Sequence, residues 1–380
     1  MSDYLKTYRI KLTTLGPLYI GSGRSVGKKE YIYDRIAKKV YIPDQQKMYG
    51  WLIQNGYQTR FMEFMLQEKV PKEGFTAWLR QNRIDARVWK EWIAYTLDSS
   101  DAVDDDHAKI EIQTCMKDAY GMVYVPGSSL KGAIRTALMG SALYRNRGKL
   151  QLEAKKVINA PFSGRTNYLS REQRSLSERV FHTAGRTENR KDMVNDCMAG
   201  IRISDSRPLD TDCLILCRKK DELPNGNGKS LNVLRECIRP QTEIVFDLTI
   251  DSTLYKGDAE TILRAIFQFG KCYTECFGSK FRSGDVLGKG MLYLGGGCGY
   301  ASKTVTYPLL GENGVKTISR IIDATLPYKI KEQHKHYKDV ELGVSPHTIK
   351  KTTWKGKKYS FGLCRLEIES FSAAPHDIRL

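Results

Sequence analysis

The sequence predicts an α+β protein, and three observations carry that reading. Apolar and polar residues alternate as in strands near the start (8–15), past the middle (242–250) and near the end (361–369). Helical patterns separate them, most clearly at 128–145 and 259–277. The length of 380 residues suits two domains, or one domain with large insertions.

The charge balance narrows the partners. Lys and Arg number 61 against 43 Asp and Glu, a net charge of +18. That excess favours a polyanion, nucleic acid before a membrane surface. No apolar run approaches the roughly 20 residues needed to span a bilayer, and the first residues lack a basic-then-apolar signal layout. Nine irregularly spaced cysteines do not form a disulfide framework, so a cytoplasmic protein with reduced thiols is expected.

In chain order, the strand at 8–15 breaks at Gly16-Pro17. A glycine-rich loop follows at 18–27, where Gly21, Ser22, Gly23 and Arg24 offer close backbone approach and an anion-binding nest. Val26 stands where a dinucleotide fingerprint needs glycine. Residues 31–42 read as a hairpin, and Asp44 as the cap of a helix to about Ile53. From 61 to 97 the pattern is helical and aromatic-rich. Trp89, Trp92 and Ile93 share a face there, as core or a partner surface. The acidic cluster of Asp98, Asp101, Asp104, Asp105 and Asp106 lacks calcium-loop spacing and reads as a solvated loop.

The most informative stretch runs from Gly121 to Arg135. A short strand, 122–125, meets Pro126-Gly127, then Ser128 and Ser129, either of which would cap the helix that follows. Lys131 and Arg135 lie one turn apart on that helix. Amides, hydroxyls and two cations together suit a phosphate. Residues 145–191 then carry twelve Lys or Arg against four acids, Arg165 and Arg186 among them, with part of this stretch a loop. Residues 200–206 read as a strand ending in a turn, 213–217 as a short strand, and 225–228 as a turn and a seam between halves. Residues 278–299 hold eight glycines interleaved with Lys280, Arg282 and Lys289, without the phosphate-loop pattern of an NTPase.

No catalytic set is visible. Cys213 and Cys217 are too far apart on a strand to chelate one metal. Cys272 and Cys276 share a helix face but have no second ligand pair. The six histidines are scattered, and only His107 and His182 are tempting as general bases. No cofactor and no metal is expected.

Three stretches taken together are more specific. They are residues 15–23 (LGPLYIGSG), 125–135 (VPGSSLKGAIR) and 294–305 (LGGGCGYASKTV). In this order they resemble the RAMP superfamily of CRISPR RNA-binding proteins, nearest to the subunits that cap the crRNA 3′ end in type III-A (Csm) effector complexes. Residues 201–206 (IRISDS) are similar to that family too. The resemblance implies two ferredoxin-like, RRM-type domains. The first would span 1–228 with a helical insertion at about 57–100, and the second 229–380 with the glycine-rich loop. It implies a non-catalytic subunit that holds crRNA, caps the backbone filament beside its neighbouring Csm subunits, and supports crRNA maturation by a separate nuclease. Target RNA would be met only through the complex, and no membrane is involved. Gly296, Gly297 and Lys303 join the expected RNA-binding residues on this ground. The alternative is a RAMP endoribonuclease that cleaves precursor crRNA, with His182 or His107 as its base.

Overall fold

The computed structural model describes residues 4–69, 71–103, 111–161 and 168–370. His107, Arg165 and Asp104 to Asp106 lie outside them. In chain order the strands are β1 (Leu5–Thr14), β2 (Gly21–Val26), β3 (Ile32–Asp34), β4 (Lys39–Pro43), β5 (Ile93–Asp98), β6 (Ile112–Cys115), β7 (Ile201–Ile203), β8 (Leu214–Glu222), β9 (Gly228–Ile238), β10 (Glu243–Asp251), β11 (Met291–Tyr293), β12 (Ile349–Trp354), β13 (Lys357–Ser360) and β14 (Leu363–Ser370). The helices are α1 (Gln45–Gln54), α2 (Gln58–Leu66), α3 (Phe75–Gln81), α4 (Ala86–Trp89), α5 (Gly127–Arg145), α6 (Gln151–Ile158), α7 (Ser170–Phe181), α8 (Ala259–Cys276), α9 (Thr306–Leu310), α10 (Gly314–Thr325) and α11 (Tyr328–His334).

The strands form two sheets. The first has the order β11-β14-β1-β10-β7, with every neighbouring pair antiparallel. Within it, β1–α5–β7–β10–α8–β14 is a βαββαβ unit of strand order β14-β1-β10-β7, the ferredoxin-like arrangement. Period-2 alternation builds its inner face: Ile10 and Leu12 of β1, Phe246 and Leu248 of β10, and Leu366 of β14 are buried. They join one core with Leu130 and Ile134 of α5 and Ile262 and Ile266 of α8. Where the two helices cross, Gly140 lies directly against the Phe269 ring.

The second sheet has the order β2-β6-β9-β8-β5-β4-β3, with β12 and β13 joined through β8. The two sheets and the mixed helix and strand content agree with the α+β class and the two ferredoxin-like domains expected from the sequence. Strands from both sides of residue 228 enter each sheet, and residues 223–227 form the turn of the β8–β9 hairpin.

Local expectations fare differently. The 31–42 hairpin is β3–β4, and Asp44 caps α1, its Oδ1 accepting from Gln46 and Lys47 N–H at 3.0 and 3.1 Å. The aromatic region is core, since Phe61, Phe64, Phe75, Trp78 and Trp92 make one buried cluster. Ile93 does not continue the helical face of Trp89 and Trp92. It opens β5, recruited by pairing with β4. Residues 122–125 make only isolated bridges through Val123. The glycine-rich segment is no loop either: β2 pairs with β6, with a register shift between Gly21 and Ser25 that absorbs the glycines.

Candidate nucleic-acid interface

Three segments distant in sequence meet at one cleft of about 410 Å³. Gly21 enters from the start of β2, Ser128, Ser129, Gly132 and Thr136 from the first turns of α5, and Gly295, Gly296, Ser302 and Lys303 from the loop after β11. Backbone bonds hold the rims together. The Gly296 N–H donates to the Tyr19 carbonyl at 2.7 Å, and the Leu294 N–H to the Gly362 carbonyl at 2.8 Å. Gly295 sits at φ 76°, where a Cβ would come within 2.3 Å of the Tyr19 oxygen, so only glycine lets this loop lie against residues 18–20. Lys303 Nζ donates back to the Gly295 carbonyl and keeps an exposed flank.

The start of α5 corrects the capping expectation. The helix begins at Gly127, one residue before the serines, and neither hydroxyl caps it. The Gly127 N–H donates instead to Asp205 Oδ1 at 2.8 Å. This is possible because Gly127 packs onto the backbone after β7, where a Cβ would lie 2.3 Å from the Ser204 carbonyl oxygen. The two serines are thereby left for the cleft, Ser128 exposed and Ser129 half-buried.

Lys131 and Arg135 share a face of α5, but it is not a free one. Arg135 pairs with Asp196 at 2.8 Å, donates to Ser177 Oγ at 2.9 Å and lies over the Phe181 ring at 4.0 Å. Burial depresses the Lys131 pKa, with Arg135 and Arg202 pushing the same way and Asp196 opposing. A neighbouring cavity of about 400 Å³ runs from Arg135 to Tyr300 and shares Thr136 and Lys303 with the cleft.

The remaining candidates are dispersed. Ser22, Gly23 and Arg24 continue outward along β2, with the Ser22 hydroxyl on Thr114 Oγ1 at 2.6 Å and the Arg24 side chain exposed. Gly297 adjoins the cleft. Arg186 sits on a loop whose N–H groups Asn195 holds. Lys280 lines a separate cavity with Ile158 and Glu312, Arg282 is tied to the β8–β9 turn through its N–H on the Pro224 carbonyl at 2.9 Å, and Lys289 lies beside Leu263 and Phe267 of α8.

Sequence reasoning missed Arg235. Its guanidinium lies over the Tyr19 ring at 4.7 Å, its Nε donates to Gln113 at 2.9 Å, and its Nη1 abuts Gly297, buried without a hydrogen-bond partner among the described residues. On β9 it reads as one polar position in an alternating strand, and only the fold brings it under the glycine loop.

His182 is buried, with Nδ1 on the Arg190 carbonyl oxygen at 2.9 Å. All nine cysteines are buried free thiols. The histidines are not all scattered: His336 and His347 gather at Asp339, a cluster with metal-ligand geometry, and none of its members lines the cleft. No helix among the described residues is long and apolar enough to cross a membrane.

The fold is ferredoxin-like, with glycine loops converging on the start of a helix. The RAMP superfamily model matches residues 11–371, and the chain belongs to that superfamily. Its curated relatives there are Csm5 proteins. The chain is 30% identical to the CRISPR system Cms protein Csm5 of Streptococcus thermophilus over 319 residues, covering 80% of this chain and 81% of the relative. It is 27% identical to the protein of that name from Mycobacterium tuberculosis H37Rv over 399 residues, covering 97% and 99%. Among solved structures, a chain of the cryo-EM Csm–crRNA–target RNA ternary complex of a type III-A CRISPR-Cas system superposes with a TM-score of 0.64. It has 20% identity, with 95% of this chain and all of that one covered. The crystal structure of T. onnurineus Csm5 gives 0.54 at 17% identity, with 93% and 99% covered.

Proposed function

We propose that this chain is the RNA-binding, non-catalytic subunit of a type III-A Csm effector complex that holds the 3′ region of crRNA. The observation that carries this reading is the convergence of Gly21, Ser128–Ser129 and Gly295–Lys303 on one cleft. Glycine backbone, hydroxyl donors and a lysine make a surface for a phosphate chain that is indifferent to base identity. The net charge of +18 supports it. So do the Csm5 relatives and the likeness to a chain from a Csm complex containing crRNA and target RNA. In this reading the chain caps the filament of Csm backbone subunits in the cytoplasm and meets target RNA through the complex. A separate nuclease trims the crRNA. Arg24 and Arg186 would extend the contact outward, while Lys280, Arg282 and Lys289 would serve other parts of the RNA or the neighbouring subunit.

The test is a filter-binding titration of single-stranded repeat RNA from low to moderate salt. Each phosphate neutralised contributes about −0.7 to the log–log slope, so several contacts give a steep loss of affinity. Affinity independent of salt contradicts the reading. Cleavage of repeat RNA by the pure chain without metal favours the endoribonuclease instead.

A further inference from the structure

Three histidines that do not line the cleft come together at and after the end of α11. His334 ends that helix, His336 and Asp339 lie in the 3-10 turn His336–Val340, and His347 leads into β12. Asp339 is fully buried and His336 nearly so. The carboxylate is gripped from three sides: His336 Nδ1 lies 3.0 Å and Ser345 Oγ 2.6 Å from one oxygen, and His347 Nδ1 lies 2.5 Å from the other. The His336 and His347 rings are 4.5 Å apart between centroids. His334 stacks on His336 at 5.6 Å with the planes 2° apart.

One donor atom from each of His336, Asp339 and His347 lies within 4.8 Å of the other two. A tetrahedral ion with bonds of 2.0–2.2 Å wants donors about 3.4 Å apart, so binding exchanges the two Nδ1–carboxylate contacts, at 3.0 and 2.5 Å, for metal bonds. Two imidazoles and a carboxylate suit zinc and its neighbours and not the all-oxygen shells of calcium or magnesium. The Ser345 hydroxyl supplies the outer hydrogen bond that orients a ligating carboxylate.

We propose that His336, Asp339 and His347 form a divalent-cation site of the zinc class, with water as the fourth ligand. The ion clips the 3-10 turn His336–Val340 to the segment leading into β12, and through the pairing of β12 with β8 to the second sheet. Its role is structural, since a fully buried carboxylate and two largely buried rings leave little access for a substrate.

The experiment uses the untagged full chain, stripped with a chelator and titrated with zinc chloride and, separately, cobalt chloride. We expect one equivalent bound, a visible cobalt absorption of the tetrahedral type, and a rise in Tm with zinc. The variant H336Q/H347Q is expected to lose about tenfold or more in affinity, while H182A binds like wild type. If the double variant does not fold, X-ray absorption of zinc-loaded wild type decides, with two imidazole ligands expected. Absence of saturable binding, unchanged binding in the double variant, or a sulfur-ligated ion overturns the proposal.

Discussion

Arg135 shows how a residue's type and its task separate. Its spacing from Lys131 marks a basic helix face, yet its guanidinium is spent on Asp196, Ser177 and Phe181. Charge-assisted hydrogen bonds contribute about 1.5–3 kcal/mol each, reduced where, as here, a third of the arginine side chain meets solvent. R135A is therefore expected to destabilise the chain by about 1–3 kcal/mol, and K131A by much less. Paired thermal melts check this, and equal Tm for the two variants contradicts it. A double K131A/R135A variant thus mixes unfolding with lost RNA contact and is a poor probe of binding alone. The sequence marks Arg135 as cationic but does not reveal that Asp196, 61 positions later, claims the charge.

Caps and turns are settled at the scale of elements. Asp258 accepts from Thr261 Oγ1 and N–H at 2.6 and 2.8 Å at the start of α8, and these bonds hold its carboxyl below the ordinary 3.8. A depressed acid stabilises above its ordinary pKa and loses that contribution as pH falls through the folded value. D258A is expected to lower stability at pH 7 by about 1 kcal/mol, with the difference from wild type closing as pH drops below 3.8. Denaturant melts at pH 7 and at a series of pH values below 3.8 measure it, and a gap that does not narrow as pH falls contradicts it. Asp44 is a cap read from local pattern, because donor and acceptor lie within three residues, and Asp258 is a cap of the same local kind. The α5 start is not, because its partner Asp205 arrives from beyond β7. For the same reason β1, β10, α5 and α8 are legible from periodicity. The glycine-rich β2 is not, since its strand character comes from pairing with β6.

The whole molecule turns one chain into a βαββαβ unit closed by its first and last strands. That closure carries residues 15–23 and 294–305 to the start of α5, so motifs nearly 300 positions apart share one cleft. The motifs themselves were legible in the sequence. Their meeting was not, nor was Arg235 beneath them, since neither follows from spacing along a strand. Excess positive charge is legible as a total, but the fold spreads Lys280, Arg282 and Lys289 away from the cleft.

The claim that this cleft carries the RNA backbone is tested most directly by placing a negative charge in it. Ser128 is exposed in the first turn of α5, where an acidic side chain suits the helix dipole and leaves the fold intact. Lys289 is equally exposed but outside the cleft. Filter binding of single-stranded repeat RNA to wild type, S128E and K289E at one moderate salt concentration, beside thermal melts, separates the two surfaces. The expected result is wild-type melting for both variants, a loss of about tenfold or more for S128E, worth about 1.4 kcal/mol per decade, and a smaller loss for K289E. If S128E melts and binds RNA like wild type, the cleft is a structural junction and the RNA lies elsewhere.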